Sequence, residues 1–559
     1  MTEIGQYFTQ KRGGYIRPFF NRKNKKYSIK KSTLLVRNKD IVRFTISKGT
    51  KKNIKIIEVL NKNPNQIDLE IIRTQFSLHH LKKFKQATHK ELHTLLELHD
   101  DFSPRPKINN RFIVTIDSET AKDLDDAVSV KKLKNGYELG VYIADVSLFV
   151  KKNSNLDKEA FKRGTSIYFG KEVIPMLPPL LSNDYCSLNT DKDKYVMAVQ
   201  IFFDLKGNVK NYKIFPAIIK TNHRLSYNSV NKLLKFPNFS KLSTHIKTMN
   251  TLKKLLLKKR QASGSIYFNL DETKVDINGA GEVERLYRKS RGKAEEIVEE
   301  FMLAANQIVA QFLDNNHVPS LYRIHSIPEE FKLINFNEAL ASLHIKKLDI
   351  SAIQPKSFQK LIFKTKEPKL KTIITYLILR TMQTAKYSIE NEGHFGLGFS
   401  HYTHFTSPIR RYPDLIVHRL IKNVLLKNKK KIYTKKELAV IAEHSTQKEK
   451  KATEIERAYM GLKQIRFIKK RIGHIYTGII SGTSENGIFV ELAKYPIYGM
   501  IPFFLLRNDY YIFSKTKNSY IGQNTGAKIS LGTSVKVKLV KADLFRNFID
   551  FELIQVLDK

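Results

Sequence analysis

Residues 113–128 read IVTIDSETAKDLDDAV, a short strand-like run followed by four aspartates, Asp117, Asp123, Asp125 and Asp126. Carboxylates packed this densely repel one another unless cations bind among them or most stay protonated. The rest of the chain is strongly basic, so the acidic knot is not part of a general acidic surface. A hard divalent cation held by carboxylate oxygens resolves the repulsion, and Mg²⁺ is the first candidate. The competing reading is a solvated acidic turn.

Composition narrows the setting. The 559-residue chain is long enough for several domains with cores of their own. No apolar run reaches the ~20 residues of a membrane span, and MTEIGQYFTQKRGGY at the start lacks a signal-peptide core. Cys186 is the single cysteine, which excludes an internal disulfide and a cysteine-based zinc site. A reducing, cytoplasmic protein is the expectation, with no membrane partner. Lys and Arg number 98 against 53 Asp and Glu, a formal net charge of +45. So basic a chain favours polyanions, nucleic acid first. The coding bias of an AT-rich genome would also enrich lysine. Anionic lipid would attract the same charge, but no amphipathic basic anchor stands out.

Segments GYIRPFF, KYSIKK, TLLVRNKDIVRFTISK, IKIIEVL and IDLEIIR, within residues 14–75, alternate apolar and polar residues at spacings that predict a small antiparallel barrel. The stretch 81–109 is more helical and polar and reads as a linker, closing with Ser103-Pro104-Arg105-Pro106. Residues 110–428 mix strands and helices without a comparable break, which predicts one large α/β domain. Residues 429–470 read as a charged helical connector with an interrupted apolar stripe. Strands return over 471–559, where Gly478, Gly487 and Gly499 sit at tight turns and Phe489 lies on an adjacent strand. That design resembles the RNA-binding OB-fold module repeated in a small-subunit ribosomal protein. Such barrels offer aromatic platforms for bases and a basic groove for phosphates; the alternative is that Phe489 is core.

A second dense segment, FGLGFSHYTHFTSPIRRYPDLIVHRL, occupies 395–420. Pro408 can open a helix as its first residue, which would set Arg410 and Arg411 where helix N–H groups also favour anions. Guanidinium forks suit phosphate oxygens; a surface arginine pair is the plainer reading. His401 and His404 read as structural hydrogen-bonding groups rather than ligands.

Taken together these segments resemble the ribonuclease II/ribonuclease R family of 3′-to-5′ exoribonucleases. The likeness runs through TIDSETAKDLDDAV (115–128), YIADVSLFV (142–150), RGTSIYFGKEVIPMLPPLLSNDYCSLN (163–189), EEIVEEFMLAAN (295–306), YRIHSIP (322–328) and YTHFTSPIRRYPDL (402–415). It implies an α+β multidomain fold: a central mixed α/β RNB catalytic domain between a cold-shock-like N-terminal OB barrel, residues 1–80, and the C-terminal RNA-binding barrel.

The resemblance also implies roles. Asp117, Asp123, Asp125 and Asp126 match the cluster that holds Mg²⁺, two ions during catalysis, with Asp125 and Asp126 closest to the chemistry and Asp126 the most sensitive to loss. Arg410 matches the arginine at the scissile phosphate, and Arg411 would bind a neighbouring one. Tyr168 matches the tyrosine that packs against the 3′-terminal nucleotide, with Phe268 as the other wall of that clamp. Glu299, rather than Glu300, would contact the sugar, where sensing the 2′-OH favours RNA over DNA. The partner implied is single-stranded RNA, met by a monomer. Departures exist: ahead of the aspartates there is room for one barrel and a linker rather than two barrels, and family histidines are replaced by Tyr142 and Leu148. The motif wording is closer to ribonuclease R, the economy of the front end to ribonuclease II. A catalytically inactive RNA-binding or translation-control protein on the same scaffold, and a nuclease of DNA, are the rivals.

Overall fold

In the computed structural model the run ahead of the aspartates is the strand Val114–Asp117, and Asp126 opens the next, Asp126–Leu133. The structure describes residues 2–557 apart from 22–24, 30–31, 33, 48–52, 98–104, 171, 269–270, 428–430, 508 and 515–517. Ser103 and Pro104, read as linker, and residues 429–430 of the connector lie outside the described residues.

The two strands belong to a seven-stranded mixed sheet. Its order is His223–Ser226, Val114–Asp117, Asp126–Leu133, Gly136–Ala144, Asp193–Asp204, Val209–Lys220 and Lys107–Ile108. Lys134 and Asn135 turn the chain between the third and fourth strands. Gly136 follows against the Phe203 carbonyl, where a Cβ would approach within 1.8 Å. Every residue of Gly136–Ala144 is buried, as a strand covered on both faces requires. Helices Lys241–Ala262 and Lys293–Asn315 pack on the sheet, and Tyr412–Leu425 completes the same core.

The flanking modules take the OB arrangement. At the N-terminus the order is Tyr27–Ile29, Gly14–Pro18, Thr2–Thr9, Ile41–Ile46 and Ile54–Val59, with the two outer strands in contact. At the C-terminus Ile475–Ser484, Gly487–Leu492, Tyr498–Pro502, Phe548–Val556 and Ser534–Asp543 close into a barrel. The fold is therefore the α+β arrangement expected, a mixed α/β centre between two small barrels.

Two readings are corrected. IDLEIIR is not a strand but the middle of the helix Pro64–Gln75. Pro64 sits in its first turn, and the Gln66 N–H donates to Asn63 Oδ1 at 2.9 Å; both features start helices. Pro408 does not open a helix either. The helix begins at Tyr412 with Pro413 in its first turn, because Ser166 N and Thr165 Oγ1 both donate to the Arg410 carbonyl at 3.0 Å and hold residues 407–411 against another segment.

One helix, Lys435–Lys469, joins the parts. At 1.5 Å per residue it is about 52 Å long. Its N-terminus carries a capping box between Thr434 and Glu437. It packs on Pro64–Gln75, on the strand Lys386–Ser388 and on both barrels' surroundings. Near its end Lys463 Nζ meets Asp68 Oδ2 at 2.7 Å, both side chains fully buried. Arg466 Nη2 approaches Asp68 Oδ1 at 2.6 Å, and Asn65 Oδ1 accepts from Lys463 Nζ and the Tyr459 hydroxyl, each at 2.8 Å. The barrels touch directly: Phe19 stacks on Phe545 with centroids 5.0 Å apart, and Arg17 pairs with Asp543 at 2.9 Å.

Asp68→Ala strands the Lys463 ammonium in a buried wall and should cost about 3–5 kcal/mol. Urea unfolding will read it, and the double variant Asp68→Ala/Lys463→Met should recover much of the loss. A second buried group gives a pH dependence. Asp145 accepts from Lys422 Nζ at 2.7 Å and from Arg105 Nη1 at 2.8 Å. Burial alone would raise its carboxyl, but Lys422 and Arg105 more than offset this and hold it well below the usual range. Its unfolded value is about 3.9, so its contribution is complete above that pH and is lost as the solution is acidified further. Acid unfolding followed by circular dichroism should show a shallower loss below about pH 4 in Asp145→Asn.

Candidate active site

The aspartate loop is held by the segment that follows it in the sequence pattern. Leu124, buried between Asp123 and Asp125, donates its N–H to Ser187 Oγ at 3.1 Å, and Ser187 Oγ donates to the Lys122 carbonyl at 2.8 Å. Leu188 N–H closes the clasp on the Leu124 carbonyl at 3.0 Å. The role of NDYCSLN is therefore to shape the loop. Asp117 ends one strand and Asp126 begins its neighbour, with Val114 paired to Val128. The four carboxylates gather at that end of the sheet.

Asp125 is 4% exposed. Its Oδ1 accepts from the Ile409 N–H at 2.8 Å, whereas its buried Oδ2 has no hydrogen-bond partner. The nearest cation is Arg410, whose Nε lies 3.7 Å from that oxygen. Arg410 is held by Ser407 Oγ, which accepts from Nη2 at 3.1 Å, and its side chain is 42% exposed. A guanidinium so placed reaches a ligand over the carboxylates.

Burial and mutual repulsion set the protonation. Asp126 is pushed up to about 7, by burial first and by the Asp117 charge second. Burial raises Asp125 well above the usual carboxylate range, against the pull of Arg410 and the Ile409 N–H. Asp117 is raised by burial and by Asp123. Among the described residues no group of three or more His, Cys, Asp or Glu side chains is arranged to hold a metal ion. Mg²⁺ uses one or two carboxylates with waters and substrate phosphates rather than an all-protein cage. An all-oxygen set with one orphaned buried oxygen fits such an ion.

Tyr168 joins this group. It lies on the strand Ile167–Phe169, and its hydroxyl donates to Asp123 Oδ2 at 2.9 Å. Its N–H donates to Glu456 Oε1 at 3.0 Å. Asp117, Asp123, Asp125, Asp126, Arg410 and Tyr168 thus converge from separate stretches of sequence.

The other expected residues have different surroundings. Arg411 turns its guanidinium to Asp414, with Nε–Oδ2 at 2.9 Å and Nη2–Oδ1 at 2.6 Å, and so serves the start of the helix Tyr412–Leu425 rather than an open phosphate position. Phe268 packs half-buried against the cluster of Ile266, Phe336 and Phe358, which does not include Tyr168. Glu299 is ion-paired with Arg291, and Arg260 Nη2 stands 3.8 Å away. Glu300 is buried against Arg260, with Nε–Oε1 at 3.1 Å. Phe489 is exposed on the strand Gly487–Leu492 and so is not core. His404 bonds the Tyr387 hydroxyl at 2.8 Å and His401 pairs with Asp314 at 3.1 Å, both structural as expected.

Two further side chains border the site. Glu456, on the long helix, is raised by burial and feels Arg410. Tyr227 begins the helix Tyr227–Lys235 immediately after Ser226, which pairs in register with Asp117. Burial, Asp117 and Asp126 all push its hydroxyl up. Glu456 sits in a charged helical repeat, where one glutamate looks like the next. Tyr227 could have been found, because HRLSY ends a strand that an α/β sheet would set beside the first.

Comparison with known proteins accords with this geometry. The RNB domain model matches residues 105–427 and the S1 RNA binding domain model residues 469–553. Ribonuclease R of Thermotoga maritima is 38% identical over 525 residues, which span 91% of this chain and 74% of that protein. The structure of Mycoplasma genitalium RNase R in complex with double-stranded RNA superposes with a TM-score of 0.82 at 28% identity, covering 99% of this chain and 95% of that one. Yeast Ssd1, described as a pseudonuclease, shares the fold alone, with a TM-score of 0.69 at 18% identity over 93% of this chain and 67% of that one. The chain belongs to the ribonuclease R family of RNB-domain proteins.

Proposed function

We propose that the protein is a metal-dependent 3′-to-5′ exoribonuclease that hydrolyses single-stranded RNA to nucleoside 5′-monophosphates in the cytoplasm. The observation that carries this reading is the buried Oδ2 of Asp125, which has no hydrogen-bond partner and lies 3.7 Å from Nε of the half-exposed Arg410. A protein that only bound RNA would have no use for an orphaned carboxylate oxygen, which costs desolvation free energy without return. The fold by itself does not decide the matter, since a pseudonuclease shares it.

Asp117, Asp123, Asp125 and Asp126 would hold two Mg²⁺ ions, which supply an activated water and neutralise the leaving oxygen of an in-line displacement. Tyr168 offers its ring to the terminal base and orients Asp123 through its hydroxyl. A stacked base is fixed without being identified, which suits digestion of any sequence. Arg410 presents its guanidinium to the non-bridging oxygens and stabilises the charge that builds there. Glu456 anchors the Tyr168 backbone and so sets the angle of the ring. The basic surface and the exposed Phe489 of the C-terminal barrel lead the strand inward, and this attachment weakens as salt rises.

Digestion of a 5′-labelled single-stranded RNA with Mg²⁺ should give a ladder down to a short 5′ fragment. Asp126→Asn and EDTA should each abolish it, and Arg410→Ala should lower kcat by roughly 10²–10³-fold. Tight binding without cleavage under every divalent metal tried would instead establish the inactive RNA-binding protein. Progress through a duplex with a 3′ overhang would mark the ribonuclease R type. The raised carboxyls predict a proton linkage as well. Asp126 must ionise to bind the ion, so Mg²⁺ affinity should rise as pH increases through about 7, and binding should release protons. Titration calorimetry in two buffers of different ionisation enthalpy will measure that release.

A further inference from the structure

Between Asp204 and Asp271 the chain contains no acidic residue and fourteen Lys and Arg. This stretch includes the helix Tyr227–Lys235, a turn, and the helix Lys241–Ala262. The turn carries two phenylalanines in the open: Phe236 is 65% exposed and Phe239 fully exposed. Lys235 Nζ lies 5.2 Å from the Phe236 ring centroid. The long helix buries Ile246, Met249, Leu252 and Leu256 in the sheet core. Its solvent side therefore presents Lys247, Lys254 and Lys258, which fall within a narrow arc at 100° per residue. Those three lysines span twelve residues, or eleven steps and about 17 Å along the axis.

We propose that Phe236 and Phe239, with the lysine face of the helix Lys241–Ala262, form a second contact for single-stranded RNA outside the catalytic cleft. The inference rests on the exoribonuclease reading for its choice of nucleic acid. Flat apolar rings beside ammonium groups match bases beside phosphates. Two rings offer too little apolar area for a stable protein interface. The apolar face of the helix is already committed to the core, so the helix cannot lie in a membrane. The position is informative too. Tyr227 stands beside the acidic cluster, and the nine-residue helix Tyr227–Lys235 carries the turn about 13 Å further on. A strand engaged here is close to the reaction centre yet does not enter it.

The test measures binding in an Asp126→Asn background, which prevents cleavage, with a labelled single-stranded RNA of about thirty nucleotides. Stacking on an aromatic side chain is worth enough that Phe236→Ser/Phe239→Ser should weaken binding roughly tenfold. Replacing Lys247, Lys254 and Lys258 by Gln should lower the slope of log affinity against log salt by about two, at ~0.7 per phosphate on single strands. With Asp126 restored, the same surface variants should bind Mg²⁺ with the parent affinity in calorimetry, since the acidic cluster is untouched. Parent-like affinity and salt slope in both variants, with unchanged melting curves, would overturn the proposal while leaving the nuclease intact. A parent that neither binds nor cuts RNA would overturn the exoribonuclease reading and this contact with it.

Discussion

Ionised carboxylates resist burial beside one another, and the end of the central sheet is built around that conflict. Asp117, Asp125 and Asp126 are all raised, because the fold removes their water before offering compensation. The hydrogen bonds supplied are few: the Ile409 N–H to Asp125 and the Ser118 N–H to Asp117. The remaining demand is electrostatic, and Arg410 meets only part of it. The clasp through Ser187 and Leu188, the register of Val114 with Val128, and the fixing of Arg410 through its own carbonyl all maintain this arrangement at a cost in stability. Such a cost is characteristic of a site whose missing interactions come from its ligands.

The long helix solves a different problem. Three units with separate cores must keep a constant relation if a flexible polymer is to find one entrance. Helix packing provides most of this, and the buried Asp68–Lys463 pair fixes where the N-terminal helix sits along it. The direct stack of Phe19 on Phe545 then sets the two barrels side by side. Surfaces of the barrels at the two chain ends thereby become neighbours.

Much of this is legible in the sequence, for identifiable reasons. The acidic loop and Arg410 are readable because unusual residues stand at close spacing. The barrels are readable because alternation has local causes; of the three glycines expected at turns, only Gly487 follows one, while Gly478 and Gly499 lie within paired strands. The misreadings are of another kind. IDLEIIR suits a strand by alternation and a helix by its cap, and the buried pairing of Asp68 with a lysine hundreds of residues away decides between them. Arg411 looks equivalent to Arg410 in the sequence; only the placement of Asp414 separates them. Phe268 and Glu299 follow from motif alone, and their surroundings depend on Phe358 and Arg291, which no local pattern announces. Glu456 is invisible for the opposite reason, since its setting is a helix full of similar charges.

The clamp at Lys463 bears on how such proteins can be recombined. Glu456 and Lys463 share one rigid helix, seven residues or about 10 Å apart, so the N-terminal unit and the catalytic centre grip the same rod. The N-terminal barrel is consequently not an interchangeable cassette. A graft from a relative would have to bring an acid at the position of Asp68, or leave a bare ammonium facing its new neighbour. Domain shuffling at this junction is constrained by a buried charge as well as by the Phe19–Phe545 stack and the Arg17–Asp543 pair.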